Sequence, residues 1–119
     1  MELEDTCTSM PQLRRGGLEL CVLAILANRA TYGFDLIRRL SEVDGVVATE
    51  GAVYPLLARL RRQGRVETRW RESQSGPPRR YYRLSDSGAL SLRVLKAEWQ
   101  AFRDAVDATL AMPERQVGR

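Results

Sequence analysis

Apolar residues recur along this chain with two different periods, and the change from one to the other marks its centre. Val53, Leu56, Leu57 and Leu60 are spaced i, i+3, i+4, i+7, which places four apolar side chains on one helical face. From Val66 the period falls to two. Val66, Thr68 and Trp70 alternate with Glu67, Arg69 and Arg71, the pattern of a half-buried strand. The segment from Glu72 to Pro78 is polar, holds Gly76, Pro77 and Pro78, and predicts a mobile loop. Arg79 to Leu84 resumes an extended run, with Tyr82 and Leu84 on one face. A helix followed at once by a two-stranded flap predicts a winged helix-turn-helix, whose helix enters the DNA major groove while the flap touches neighbouring backbone.

The preceding pattern supplies the rest of such a domain. A polar head, residues 1–10, predicts a disordered tail. A first helix is expected from about Pro11 to Asn28. Its stretch Leu18–Leu26 is apolar nearly all round, so it should form the buried centre. Gly16 and Gly17 weaken its first turns. Thr31 is positioned to cap a second helix over Tyr32–Ser41, which Asp44-Gly45 ends. Thr49 is the expected N-cap of the third helix and Gly64 its C′ glycine. Pro55 lies within that helix and should make its first turn distinct.

Ser85 and Asp86 open a final helix that should run to about Ala111, before Pro113. Leu92, Leu95, Trp99, Phe102, Val106 and Leu110 repeat in steps of three and four, a coiled-coil-like seam. Such a helix spans about 39 Å, whereas a domain of about 75 residues is only about 25 Å across. An apolar stripe that outruns its own core implies a partner, most simply a second copy. A helix folded back along its own domain is the alternative. The expected organisation is therefore mainly α with a small β-hairpin. It comprises a tail (1–10), a winged helix-turn-helix DNA-binding domain (11–85), a dimerisation helix (86–112) and a flexible tail (113–119).

Charge sharpens the reading of the third helix. Its outward face holds Gly51, Pro55, Ala58 and Arg62, flanked by Tyr54 and Arg59. Small residues permit close approach, and arginine reaches phosphates or guanine edges. That face alone leaves an ordinary solvated surface open. The net charge of +4 is unevenly spread: residues 50–85 carry nine basic and three acidic side chains, against five and seven in residues 1–49. Such a local basic block is the electrostatic footprint of a polyanion partner.

Several chemistries are excluded or unexpected. The chain has no histidine, no pair of carboxylates on one apolar face, and no metal-ligand or phosphate-loop pattern, so neither an enzyme nor a metal or other cofactor is expected. Cys7 and Cys21 do not make a disulfide framework, and Cys21, within an apolar run, reads as a small hydrophobe; a redox pair is the other role open to them. Acids follow Met1 where a secretory leader would have bases, and the run Leu20–Ala27 is too short to span a bilayer. A cytoplasmic protein with no membrane partner is expected.

The sequence resembles the PadR family of bacterial transcription regulators. The resemblance rests on LRRGGLELCVLAIL (13–26), TYGFDLIRRL (31–40), EGAVYPLLARLRRQGRVE (50–67), PRRYYRLSDSGAL (78–90) and AEWQAF (97–102). The tyrosine–proline pair in the third helix, the following arginine–leucine and glycine, and the YYRL strand are specific as a set. A single C-terminal helix matches the shorter subgroup. The resemblance implies a homodimeric repressor on a palindromic operator in double-stranded DNA, with Tyr54, Arg79 and Arg80 contacting it. Trp99 matches an aromatic near the dimer centre where flat hydrophobic ligands stack in some members; core packing is its other role. Val53 departs from the leucine or threonine of many members, and Gly51-Ala52 offers no side-chain donor to a base. The expected DNA-facing set is Thr49, Gly51, Tyr54, Pro55, Ala58, Arg59, Arg62, Arg79 and Arg80, and the expected dimer contact is the Leu92–Leu110 seam. A winged-helix module that binds protein without reading DNA remains the competing function.

Overall fold

The computed structural model describes the backbone of residues 3–115 and the side chains of residues 16–115. The elements follow in the order α1 (Leu3–Asn28), β1 (Thr31–Tyr32), α2 (Gly33–Ser41), α3 (Glu50–Arg62), β2 (Val66–Ser73), β3 (Gly76–Leu84) and α4 (Asp86–Leu110). The three strands form one antiparallel sheet in the order β1-β3-β2. The fold is a winged helix with a long C-terminal helix.

One core organises it. Leu18, Val22, Leu23 and Leu26 of α1 meet Leu36 and Leu40 of α2 and Val53, Leu56, Leu57 and Leu60 of α3. Val66 and Tyr82 close it from the sheet. The i, i+3, i+4, i+7 face of α3 is therefore the buried face. Helix α1 is one-sided instead of buried all round: Ala24 and Ala27 are exposed, and Leu20 and Cys21 only half-buried. Cys7 lies outside the described side chains.

The caps sit where local chemistry predicts. The Thr49 hydroxyl oxygen accepts from the Ala52 N–H at 3.2 Å. At the other end of α3, Gly64 takes a positive φ of 74°. The Arg65 N–H reaches back to the Leu60 carbonyl and the Gly64 N–H to the Arg61 carbonyl, the paired bonds that satisfy a helix C-terminus. Helix α3 runs on through Pro55 without a break.

Three expectations need correction. Helix α1 starts at Leu3, so the segment expected as a tail is helical from there. Of the tail expected from Pro113, residues 116–119 lie outside the described residues. Thr31 does not cap α2. It is a buried strand residue paired with Tyr82, its hydroxyl donates to the Arg29 carbonyl, and the cap position passes to Tyr32. The mobile loop shrinks to Gln74-Ser75, because β2 continues to Ser73 and β3 begins at Gly76. Pro77 and Pro78 fit in β3 because the register with β2 slips there, between Arg71 and Ser73, and β1 pairs only at Tyr81 and Tyr82.

The start of α4 is fixed by a tight junction. The Ser85 hydroxyl accepts from the Gly88 N–H, and both Ser85 and Ser87 donate to the Gly64 carbonyl. The Ser85 N–H bonds the Arg65 carbonyl at 3.1 Å. Gly88 is buried against that same carbonyl, and a Cβ there would overlap its oxygen. Gly88→Ala should therefore destabilise the fold by about 1–3 kcal/mol, the usual cost of overpacking. Gly51→Ala, on the open face of α3 with no atom nearer than 4.0 Å, should instead add about 0.5 kcal/mol. Urea titration of both variants checks this, and equal stabilities would refute the packing assignment.

Candidate nucleic-acid interface

Burial of Val53, Leu56, Leu57 and Leu60 leaves Gly51, Tyr54, Pro55, Ala58, Arg61 and Arg62 on the solvent side of α3. They border two hollows, one shared with the wing and one with α1. Arg62 borders both.

The first hollow, about 520 Å³, lies between α3 and the wing. Its walls are Tyr54, Leu57, Ala58, Arg61 and Arg62 from α3, and Arg80 and Tyr82 from β3. Three guanidinium groups line it and no carboxylate does. The Arg80 side chain stacks on Trp70, its guanidinium carbon 5.1 Å from the ring centroid. Its Nε is buried and has no hydrogen-bond partner among the described residues. Arg61 was missing from the sequence expectation. Its signal was present, since Tyr54, Ala58 and Arg61 are spaced i, i+4, i+7 along one line of the helix.

Tyr54 is placed by its neighbours. Its ring lies over Gly33 at the start of α2, where a Cβ would come within 3.0 Å of Cε1 and 3.2 Å of the hydroxyl. A larger residue at 33 would push the tyrosine out of the hollow. Partial burial, then the nearby Glu50 carboxylate, raise its phenol above the ordinary tyrosine range. Tyr54 therefore stays a neutral donor at physiological pH. It is less outward than the helical spacing predicts, because it spans the α2–α3 junction while keeping an exposed edge.

The second hollow, about 510 Å³, is lined by Gly51, Ala52, Pro55, Leu56, Arg59 and Arg62, with Leu18 of α1 behind them. Here Arg59 is engaged. Its Nη2 lies 2.6 Å from Glu19 Oε1, and Arg65 lies 3.6 Å from the other oxygen of the same carboxylate. Thr49 sits at the N-terminus of α3 as its cap.

The two wing arginines do not share a surface. Strand side chains alternate, so Arg80 faces the first hollow with Tyr82 while Arg79 lies on the opposite face. There the Arg79 guanidinium stacks on Tyr32, 4.9 Å from its centroid.

The seam of α4 is divided in the same way. Leu92 and Leu95 pack against the core. Trp99 and Phe102 line a groove of about 590 Å³ with Gly16, Gly17, Glu19 and Leu20 of α1. They nevertheless remain 47% and 58% exposed, and Leu110 is 76% exposed. Among the described residues, α1 thus flanks Trp99 and Phe102 and leaves them about half exposed. Leu90 and Val94, exposed on another side of α4, were not in the expected seam.

Among the described residues no group of three potential metal-ligating side chains occurs, and no helix is long and apolar enough to cross a membrane. Comparison with known proteins gives a consistent result. A solved PadR family transcriptional regulator from Eggerthella lenta is 35% identical, with 93% of this chain and 97% of that chain covered and a TM-score of 0.78. A PadR-like transcriptional regulator from Bacillus cereus is 31% identical, with 86% and 99% covered and the same TM-score. Residues 22–94, from the middle of α1 into α4, match the profile described as the transcriptional regulator PadR-like family. The chain belongs to that family, whose members are DNA-binding regulators and not enzymes.

Proposed function

We propose that this regulator is a homodimeric repressor that binds a palindromic operator in the bacterial cytoplasm, on the nucleoid. Each protomer inserts α3 into a major groove and lays its wing against the adjoining phosphates. The observation that carries the reading is the acid-free hollow between α3 and the wing, where Arg61, Arg62 and Arg80 converge around the neutral donor Tyr54. A phosphate seated there satisfies charges that nothing in the described part of the fold neutralises. Gly51, Pro55 and Ala58 let the groove floor approach, and Thr49 offers its hydroxyl proton at the helix end. Most of these groups bind backbone, so base selection rests on few side chains, Arg62 foremost among them.

The dimer reading rests on Trp99, Phe102 and Leu110 of the stripe, which stay exposed, with the half-buried Val106 between them. The groove beside Trp99 supports the last part of the reading, in which a flat hydrophobic or aromatic effector stacks on the indole and releases the operator. Selection of bound sequences from a random duplex pool tests the whole. The expected product is a pair of inverted half-sites about 10 base pairs, or a multiple of that, apart. Enrichment of a lone half-site would refute the palindrome.

Three substitutions separate the parts. Arg80→Ala should weaken binding to all sequences alike and reduce the slope of log affinity against log salt by about 0.9 per protomer; an unchanged slope removes Arg80 from the interface. Tyr54→Phe keeps the ring over Gly33 and loses only the donor, so it should cost about 1–3 kcal/mol of DNA affinity at unchanged melting temperature. A variant that melts early but binds normally would make the hydroxyl structural. Phe102→Glu places a carboxylate in the proposed contact, twice by symmetry, at a cost of several kcal/mol. Sedimentation should then show a folded monomer with weakened operator binding, and a variant that remains dimeric excludes this stripe as the interface.

A further inference from the structure

The outermost line of α3 runs through Gly51, Pro55, Ala58 and Arg62, spaced i, i+4, i+7, i+11, and all four residues are exposed. Its first three members carry no side-chain donor or acceptor. The polar side chains on either flank are committed elsewhere. The Tyr54 ring lies over Gly33 and lines the hollow shared with the wing. Arg59, on the other flank, is held by the Glu19 carboxylate at 2.6 Å. The second hollow opens beside this line, and Leu18, Ala52, Pro55 and Leu56 give it alkyl walls. Arg62 is the guanidinium there that makes no ion pair among the described residues.

A base edge pressed against such a surface loses water and gains no hydrogen bond in return. For the amino groups of cytosine and adenine, and for the acceptors of guanine, that exchange is unfavourable. Thymine differs, because its C5 methyl is the apolar group that the major groove displays. Burying that methyl releases the water around it. Proline suits the contact, since its ring has no side-chain rotamer freedom to lose. Helix α3 carries Pro55 without a break, although proline inside a helix forfeits one backbone hydrogen bond.

We infer that α3 selects thymine by its C5 methyl group, with Pro55 as the specificity-determining contact at the second hollow and Ala58 beside it. Arg62, at the end of the same line, supplies the hydrogen bonds to a neighbouring base. This rests on the DNA-binding reading above and names what that reading leaves open, the base that the small residues of α3 prefer.

The test uses the full chain and the duplex that it enriches from a random pool. That duplex is made in three versions: with thymine, with uracil replacing thymine throughout the half-sites, and with 5-bromouracil, whose bromine matches a methyl group in size. Uracil should weaken binding about fourfold for each methyl contacted, the worth of one buried methyl group, and 5-bromouracil should restore it. Pro55→Ala removes the ring and returns a backbone hydrogen bond, so it should melt no lower than the native protein. It should bind random duplex as the native protein does and lose about fourfold of the preference for thymine over uracil. Equal native affinity for the thymine and uracil duplexes overturns methyl reading, and so does an enriched half-site without thymine. A loss in uracil that 5-bromouracil fails to restore overturns it too, because duplex shape then carries the preference. A Pro55→Ala variant with the full native preference overturns the assignment to Pro55. A native protein that enriches no sequence at all overturns the DNA-reading function itself, a result distinct from enriching a sequence whose thymines can be replaced freely.

Discussion

The junction between Gly64, Arg65, Ser85 and Gly88 is the constraint on which the geometry of α3 and the wing depends. At one point the chain ends α3, begins β2, finishes β3 and starts α4. Two serine hydroxyls converge on the Gly64 carbonyl, and the Arg65 carbonyl takes the Ser85 N–H while pressing on Gly88. Gly64 supplies the positive φ that turns the chain out of the helix, and Gly88 supplies the absence of a side chain that lets the next helix start against it. The angle between α3 and the wing follows from this knot, and so does the width of the hollow between them. So does the direction in which α4 leaves the domain.

Within that frame, acidic side chains sort the arginines into two groups. Glu19 takes Arg59 and Arg65, and Glu67 takes Arg83. No acid lines the hollow holding Arg61, Arg62 and Arg80. The basic excess of residues 50–85 is thus not a uniform coat. Three of those arginines pair with two carboxylates where the sheet and α3 meet the rest of the domain, and among the described residues the α3–wing surface and the outer wing carry the unpaired ones. A polyanion therefore meets positive potential over a limited area, which orients it as well as attracting it.

How much of this was legible in the sequence depended on how local the cause is. The Thr49 and Ser85 caps, the Gly64 terminus and the buried face of α3 are set by neighbours within a turn, and all four were readable. The two-residue strand β1 exists only because β3 pairs with it, so Thr31 looked like a cap. The prolines at 77 and 78 signalled a loop, whereas a slipped register lets them extend the wing. Tyr54 sat on the outward face by helical spacing, but its placement over Gly33 needed α2 to be docked. Strand alternation already separated Arg79 from Arg80. What each faces became visible only with α3 and β1 in place.

Glu19 connects two regions that the sequence treats as separate. It borders the groove beside Trp99 and Phe102, and its carboxylate pairs with both Arg59 on α3 and Arg65 before the wing. Helix α1 contributes both surfaces, on neighbouring turns. The exposed apolar stripe and the flank of α3 thus share one side chain, Glu19, which borders the first and pairs with Arg59 on the second.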